Sequence, residues 1–130
     1  MSPQISSAPR LFEDADNSAE VSARRVLLKS GRRTFFFVPD QIDWVEAAGN
    51  YSEVHARGET FLVREVLGSL ERRLQRFGFA RIDRSILVNT RRVFEIRKTG
   101  RRVYVAVLND GTQLRLAPSC REELERLLTT

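Results

Sequence analysis

Short β-prone runs cut by turn residues constrain this chain more than any other feature. Val26 to Lys29 and Thr34 to Val38 flank Ser30-Gly31-Arg32, and Pro39-Asp40 closes the pair as a hairpin. Ile42, Trp44 and Val45 open a third strand that breaks at Gly49-Asn50, after which Tyr51 to Ala56 and Glu59 to Val63 flank Arg57-Gly58 as a second hairpin. Phe79 to Ile82, Ile86 to Val88 and Val93 to Arg97 are short, apolar and extended in character. Tyr104 to Leu108 and Thr112 to Leu116 bracket Asn109-Asp110-Gly111, residues that tolerate the positive φ of a tight turn. The pattern predicts a mainly β chain with minor α, built from short antiparallel β-sheets.

Two segments depart from that pattern. Val66, Leu67, Leu70 and Leu74 recur at helical spacing, Arg72, Arg73 and Arg76 suit the negative end of the helix dipole, and Gly78 fits the residue after the helix. Gly68 inside this helix costs about 1 kcal/mol relative to Ala. Near the C-terminus, Ser119-Cys120-Arg121-Glu122 has capping-box spacing ahead of the apolar face of Leu124, Leu127 and Leu128. One internal helix and one C-terminal helix are therefore expected. Residues 1–23 mix Ser, Ala, Pro and acidic side chains without periodicity and read as a flexible tail or linker, leaving 24–130 as a single folded domain.

Charge narrows the partners. The chain has net charge +5, yet residues 1–20 carry Glu13, Asp14, Asp16 and Glu20 against Arg10, so that stretch is −3 and the rest holds +8. A basic body of this kind suits a polyanion, because phosphate contacts release condensed counterions; a soluble Arg-rich surface is the plainer explanation. The single cysteine, Cys120, excludes an intramolecular disulfide and suits a reducing compartment. With no signal-peptide pattern or membrane-spanning run in residues 1–23, a cytoplasmic protein without membrane contact is expected. There the acceptor-like Asn50-Tyr51-Ser52 is a coincidence.

Catalytic equipment is missing from the pattern. One His and one Cys, His55 and Cys120, make no metal-ligand spacing, so no metal site is expected. No phosphate loop with a Walker lysine and no nucleophile elbow occurs, and Asp43, Glu46, Asp83 and Asp110 are scattered over strands and turns. Neither an enzyme, a cofactor nor a small-molecule substrate is expected.

Two polar interruptions stand out: Trp44-Val45-Glu46-Ala47-Ala48-Gly49-Asn50-Tyr51-Ser52 and Arg81-Ile82-Asp83-Arg84-Ser85-Ile86-Leu87-Val88-Asn89. By periodicity alone they are a turn and a solvated charge cluster. Their order, with Leu67-x-x-Leu70-Glu71-x-x-Leu74 between them and Leu108-Asn109-Asp110-Gly111 after, resembles the LytTR family of bacterial DNA-binding domains over about 100 residues. The resemblance implies an elongated LytTR-like fold that binds double-stranded DNA sequence-specifically as a transcriptional regulator, in related proteins often as the output domain of a two-component response regulator. It also implies recognition loops in successive major grooves of direct-repeat sites, with a second copy on the same DNA.

Residue by residue, the resemblance puts the first recognition loop at Gly49, Asn50, Tyr51 and Ser52, the second at Arg84 and Ser85, and a third element at Ala117 to Arg121 with Ser119 and Arg121. Asn50 and Arg84 are the base-reading candidates, since Asn pairs bidentately with adenine and Arg with guanine. Arg81 is expected at phosphate or solvent, and Asn89, Trp44, Phe79 and Leu70 in structural roles. Two residues depart from the family pattern. Asp83 stands where the family has His, a negative charge that Arg81 or Arg84 must offset, and Ala117-Pro118 replaces a Ser-Arg pair, with Arg115 or Arg121 as substitutes. These departures support the alternative, a degenerate LytTR-like module working through protein contacts without specific DNA readout. An RNA or single-strand binder would instead need stacking aromatics such as Tyr51 and the Phe35-Phe36-Phe37 run.

Overall fold

Alternation in the first apolar runs closes as drawn from the sequence. In a computed structural model that describes residues 24–129, β1 (Val26–Ser30) pairs antiparallel with β2 (Arg33–Phe37) across a turn in which Gly31 takes φ 62°. The tail expected over residues 1–23 lies outside the described residues. Period-2 alternation buries Val26, Leu28 and Phe37 and turns Leu27 and Phe36 outward. Phe35 and Phe37 pack with Phe61, with ring centroids 4.8 to 5.9 Å apart, so the Phe run is mostly core rather than a stacking platform.

The main sheet has five antiparallel strands: β3 (Ile42–Ala48), β4 (Tyr51–Ala56), β5 (Glu59–Val63), β6 (Phe79–Asp83) and β7 (Ile86–Asn89), in the order β5-β4-β3-β7-β6. Between β5 and β6 runs α1 (Leu67–Leu74), extended by one 3₁₀ turn and stopped by Gly78 at φ 90° in the left-handed region. A three-stranded sheet follows, β8 (Val93–Gly100), β9 (Val103–Leu108) and β10 (Gln113–Leu116), ordered β10-β9-β8. The chain then enters α2 (Pro118–Leu128). The mainly β fold with an internal and a C-terminal helix is as expected.

One expectation is corrected. Ser119 does not cap α2: the helix begins at Pro118, Ala117 is the N-cap, and no side chain caps it. Proline at the first helical position presets φ, and its missing N–H would lack an intrahelical partner there anyway, which moves the start two residues upstream of the capping-box position.

Two hydrophobic clusters lie on opposite faces of the β6–β7 hairpin. Leu87 faces the first, with Ile42, Val45, Val54 and Val63 of the sheet, Leu67, Leu70 and Leu74 of α1, and the β1–β2 hairpin. Ile86 and Val88 face the second, with Ile82, Ala106, Leu108, Leu114, Leu116 and Leu124. Every residue of β7 is buried, which accounts for a continuous apolar run where a half-exposed strand would alternate. The strand ends in Asn89, fully buried, whose Nδ2 donates to the Ile42 carbonyl at 3.0 Å and whose Oδ1 accepts from the Arg91 amide at 3.0 Å.

Asn89→Ala strands two backbone groups and is expected to lower stability by about 1–3 kcal/mol. Leu70→Ala, emptying a fully buried site, is expected to cost about 2–5 kcal/mol. Phe94→Ala, at a side chain 75% exposed, should stay within about 0.5 kcal/mol of the parent in the same urea denaturation series.

Candidate nucleic-acid interface

The two polar interruptions become two turns at one end of the five-stranded sheet. The first joins β3 to β4 through Gly49 and Asn50, with Ala48 opposite Tyr51; Gly49 takes φ 68° as the first central residue, the position where a type II′ hairpin turn requires glycine. Asn50 and Tyr51 are exposed at its tip. The second joins β6 to β7 through Arg84 and Ser85. The Ala47 amide donates to the Ser85 carbonyl at 2.9 Å, fastening the end of one hairpin to the turn of the next. Their midlines are two strand spacings, about 10 Å, apart.

The second turn is held from beneath. Asp83 Oδ2 accepts from the Ser85 amide at 3.2 Å and from its hydroxyl at 3.1 Å. Arg81 donates to the Arg84 carbonyl at 2.8 Å while its other terminal nitrogen pairs with Glu71 of α1 at 2.8 Å. Arg115 of β10 reaches both Asp83 Oδ2, at 3.4 Å, and the Ser85 hydroxyl, at 3.2 Å. Arg84 itself is exposed, with no ion-pair partner among the described residues. The third element is tied to β6, the edge strand, by the Ala117 amide donating to the Ile82 carbonyl at 2.8 Å. Ser119 is exposed there, whereas Arg121 pairs with Glu125 at 3.0 Å and lies over the Tyr104 ring.

The structure therefore sorts the residues singled out by sequence. Asn50, Tyr51, Arg84 and Ser119 are presented outward, and Ser85 is half-buried. Ser52 is corrected: it is fully buried, and its hydroxyl donates to the Glu65 carbonyl at 2.6 Å, so it offers nothing to a ligand. Arg81 and Arg121 are engaged within the protein. The counter-charge to Asp83 is Arg115, neither Arg81 nor Arg84, and nothing local in the sequence links positions 32 apart. Another concentration of positive charge, a cavity of about 510 Å³ lined by Arg24, Arg25, Arg72, Arg73 and Arg76 with Phe77, lies near the start of β6, the end away from its Arg84 turn.

Burial pushes the Asp83 pKa up, but the Ser85 hydrogen bonds and the Arg115 charge outweigh it and hold the carboxyl below its ordinary value. A depressed carboxylate contributes stability above its unfolded pKa of about 3.9 and loses it as pH falls through the lower folded value. The parent is accordingly expected to be more stable than Asp83→Asn at neutral pH, with the difference in urea midpoint shrinking below about pH 4.

No helix among the described residues is long and apolar enough to cross a membrane. No curated protein sequence matches the chain. Among solved structures, the fold is similar to the LytTr DNA-binding domain of a Bacillus cereus protein described as a methyl-accepting/DNA response regulator: TM-score 0.69, 21% identity, covering 82% of this chain and 97% of that one. The sequence matches the LytTr DNA-binding domain family over residues 32–129, well over half its length. That family is a DNA-binding fold and not an enzyme fold. The turns at Gly49-Asn50 and Arg84-Ser85 thus sit within a matched domain, and the chain belongs to the LytTR family of DNA-binding domains.

Proposed function

We propose that this chain binds double-stranded DNA sequence-specifically as a bacterial transcriptional regulator, through a row of three elements: the Gly49-Asn50 turn, the Arg84-Ser85 turn and the junction at Ala117 to Ser119. The observation that carries this reading is the placement of Asn50 and Arg84, both exposed, on adjacent hairpins locked together by the Ala47–Ser85 hydrogen bond. An exposed Asn pairs bidentately with adenine in the major groove, an unpaired Arg serves guanine or a narrow minor groove, and the start of α2 suits a phosphate.

Geometry refines the docking. Successive major grooves are about 34 Å apart along one face of the duplex. The two turns, about 10 Å apart, are too close to reach successive major grooves by themselves, so we assign the two grooves to the ends of the row. The row extends roughly 15 to 20 Å from the first turn to the α2 junction, plus side-chain reach. On DNA bent toward the protein, its two ends enter successive major grooves and Arg84 crosses the minor groove between them. A unit spanning residues 24–130 with two copies on direct-repeat DNA completes the reading.

The departures that favoured a module without DNA readout have structural roles. Asp83 is balanced by Arg115 and shapes the Arg84 turn, and Pro118 starts α2. Neither opposes DNA.

Fluorescence anisotropy with selected and random duplexes at several salt concentrations tests the proposal. A selected site is expected to bind about 10³-fold or more tighter than random DNA, with the salt slope reporting several phosphate contacts. Equal, weak binding of both duplexes overturns sequence-specific recognition. Asn50→Ala is expected to cost about 1–3 kcal/mol on the selected duplex and little on random DNA. Ser52→Ala should lower stability by about 1–3 kcal/mol and leave the selected-to-random ratio unchanged.

A further inference from the structure

Sequence spacing finds metal sites by pairs of His and Cys, and this chain has one of each. The register of β3 and β4 assembles a different set. Glu46 stands opposite Glu53, and His55 follows on the same face of β4, opposite Trp44. One ligand atom from each of Glu46, Glu53 and His55 lies within 4.8 Å of the others.

Two features of this group would be answered by a cation. Like charges directly opposite on neighbouring strands are destabilising, and neither carboxylate has an ion-pair partner among the described residues. The imidazole is also held as a ligand would be. Its ring stacks on Trp44 at 3.8 Å with 3° between planes, and Nδ1 lies 3.1 Å from the Thr60 hydroxyl. Its Nε2 is buried with no hydrogen-bond partner. Metal-bound histidines are oriented in this way, through a hydrogen bond at the nitrogen that does not bind the ion.

We propose that Glu46, Glu53 and His55 form a binding site for a divalent first-row transition metal ion such as Zn²⁺. One imidazole nitrogen with two carboxylates suits such ions, whereas Mg²⁺ and Ca²⁺ prefer oxygen donors alone. Three protein ligands leave a coordination position for water. The carboxylates come from the strand facing and the strand bearing the histidine, an arrangement that His and Cys spacing rules do not search.

The location gives the ion a consequence, and this part rests on the DNA reading above. The Glu46–Glu53 rung is two rungs behind the Ala48–Tyr51 rung that closes the Asn50 turn, roughly 7 Å along the strands. Metal binding cancels two negative charges beside a DNA-facing turn and so raises DNA affinity.

The chain has a single tryptophan, and it is the one stacked on His55, so its fluorescence reports directly on the site. Tag-free protein without DNA is titrated with Co²⁺, a paramagnetic quencher, then back-titrated with Zn²⁺ or Mg²⁺. The expected result is saturable quenching at micromolar Co²⁺, reversed by Zn²⁺ and not by millimolar Mg²⁺. His55→Gln, and separately Glu46→Gln with Glu53→Gln, should each weaken it by about tenfold or more. The carboxamide pair keeps the side-chain shape and removes the like-charge contact, so its urea midpoint should not fall, and it serves as the folded control. Linear, unsaturated quenching, or equal quenching in the folded carboxamide variant, overturns the site. DNA affinity is then compared with Zn²⁺ and with chelator. A rise with Zn²⁺ supports the coupling to DNA; no change overturns it, while selective binding in chelator keeps the DNA reading separate from the metal.

Discussion

Burial of the β6–β7 hairpin on both faces is the constraint on which the rest of the structure depends. Leu87 enters the cluster formed with α1 and the N-terminal hairpin, and Ile86 and Val88 enter the one formed with the three-stranded sheet and α2. A strand covered on both sides cannot slip by one residue without exchanging the faces of every side chain. Asn89 locks its far end to Ile42 in β3, and Ala47 locks its near end through the Ser85 carbonyl. The Arg84 turn is therefore mounted on the most constrained element of the fold, and its position follows from packing.

At this end of the sheet Arg84 is the exposed arginine left without an ion-pair partner among the described residues, while the equally exposed Arg115 is paired. Arg81 and Arg115 are used inside the protein, the first against Glu71 and the Arg84 carbonyl, the second against Asp83 and Ser85. A pre-formed turn loses less conformational entropy when it meets a ligand, so the cost of ordering falls on folding and not on binding. Asp83, a liability when considered only as a negative charge near phosphate, is the acceptor around which the Ser85 turn closes.

Much of this was legible in the sequence, because the signals were local. Gly31, Gly49, Gly78 and Gly111 mark backbone positions with positive φ, and each ends or turns an element where it stands. The burial of Ser52 follows from strand parity, since it shares the buried face of β4 with Val54 and Ala56. Arg102 takes φ 58° in the β8–β9 turn, an unusual conformation for arginine, and so the turn gave little residue-level warning. What the sequence did not contain was register. The Arg115–Asp83 contact, the Glu46–Glu53–His55 group and the 10 Å separation of the two turns all come from which strand lies beside which.

Methylation interference on a selected duplex tests the docking of the three-element row most directly, because guanine N7 lies in the major groove and adenine N3 in the minor groove. The expected result is two zones of guanine N7 interference about one helical turn apart on one face of the DNA, with adenine N3 interference between them that disappears for Arg84→Ala. Guanine N7 interference in a single zone, or adenine N3 interference that Arg84→Ala leaves intact, would contradict it.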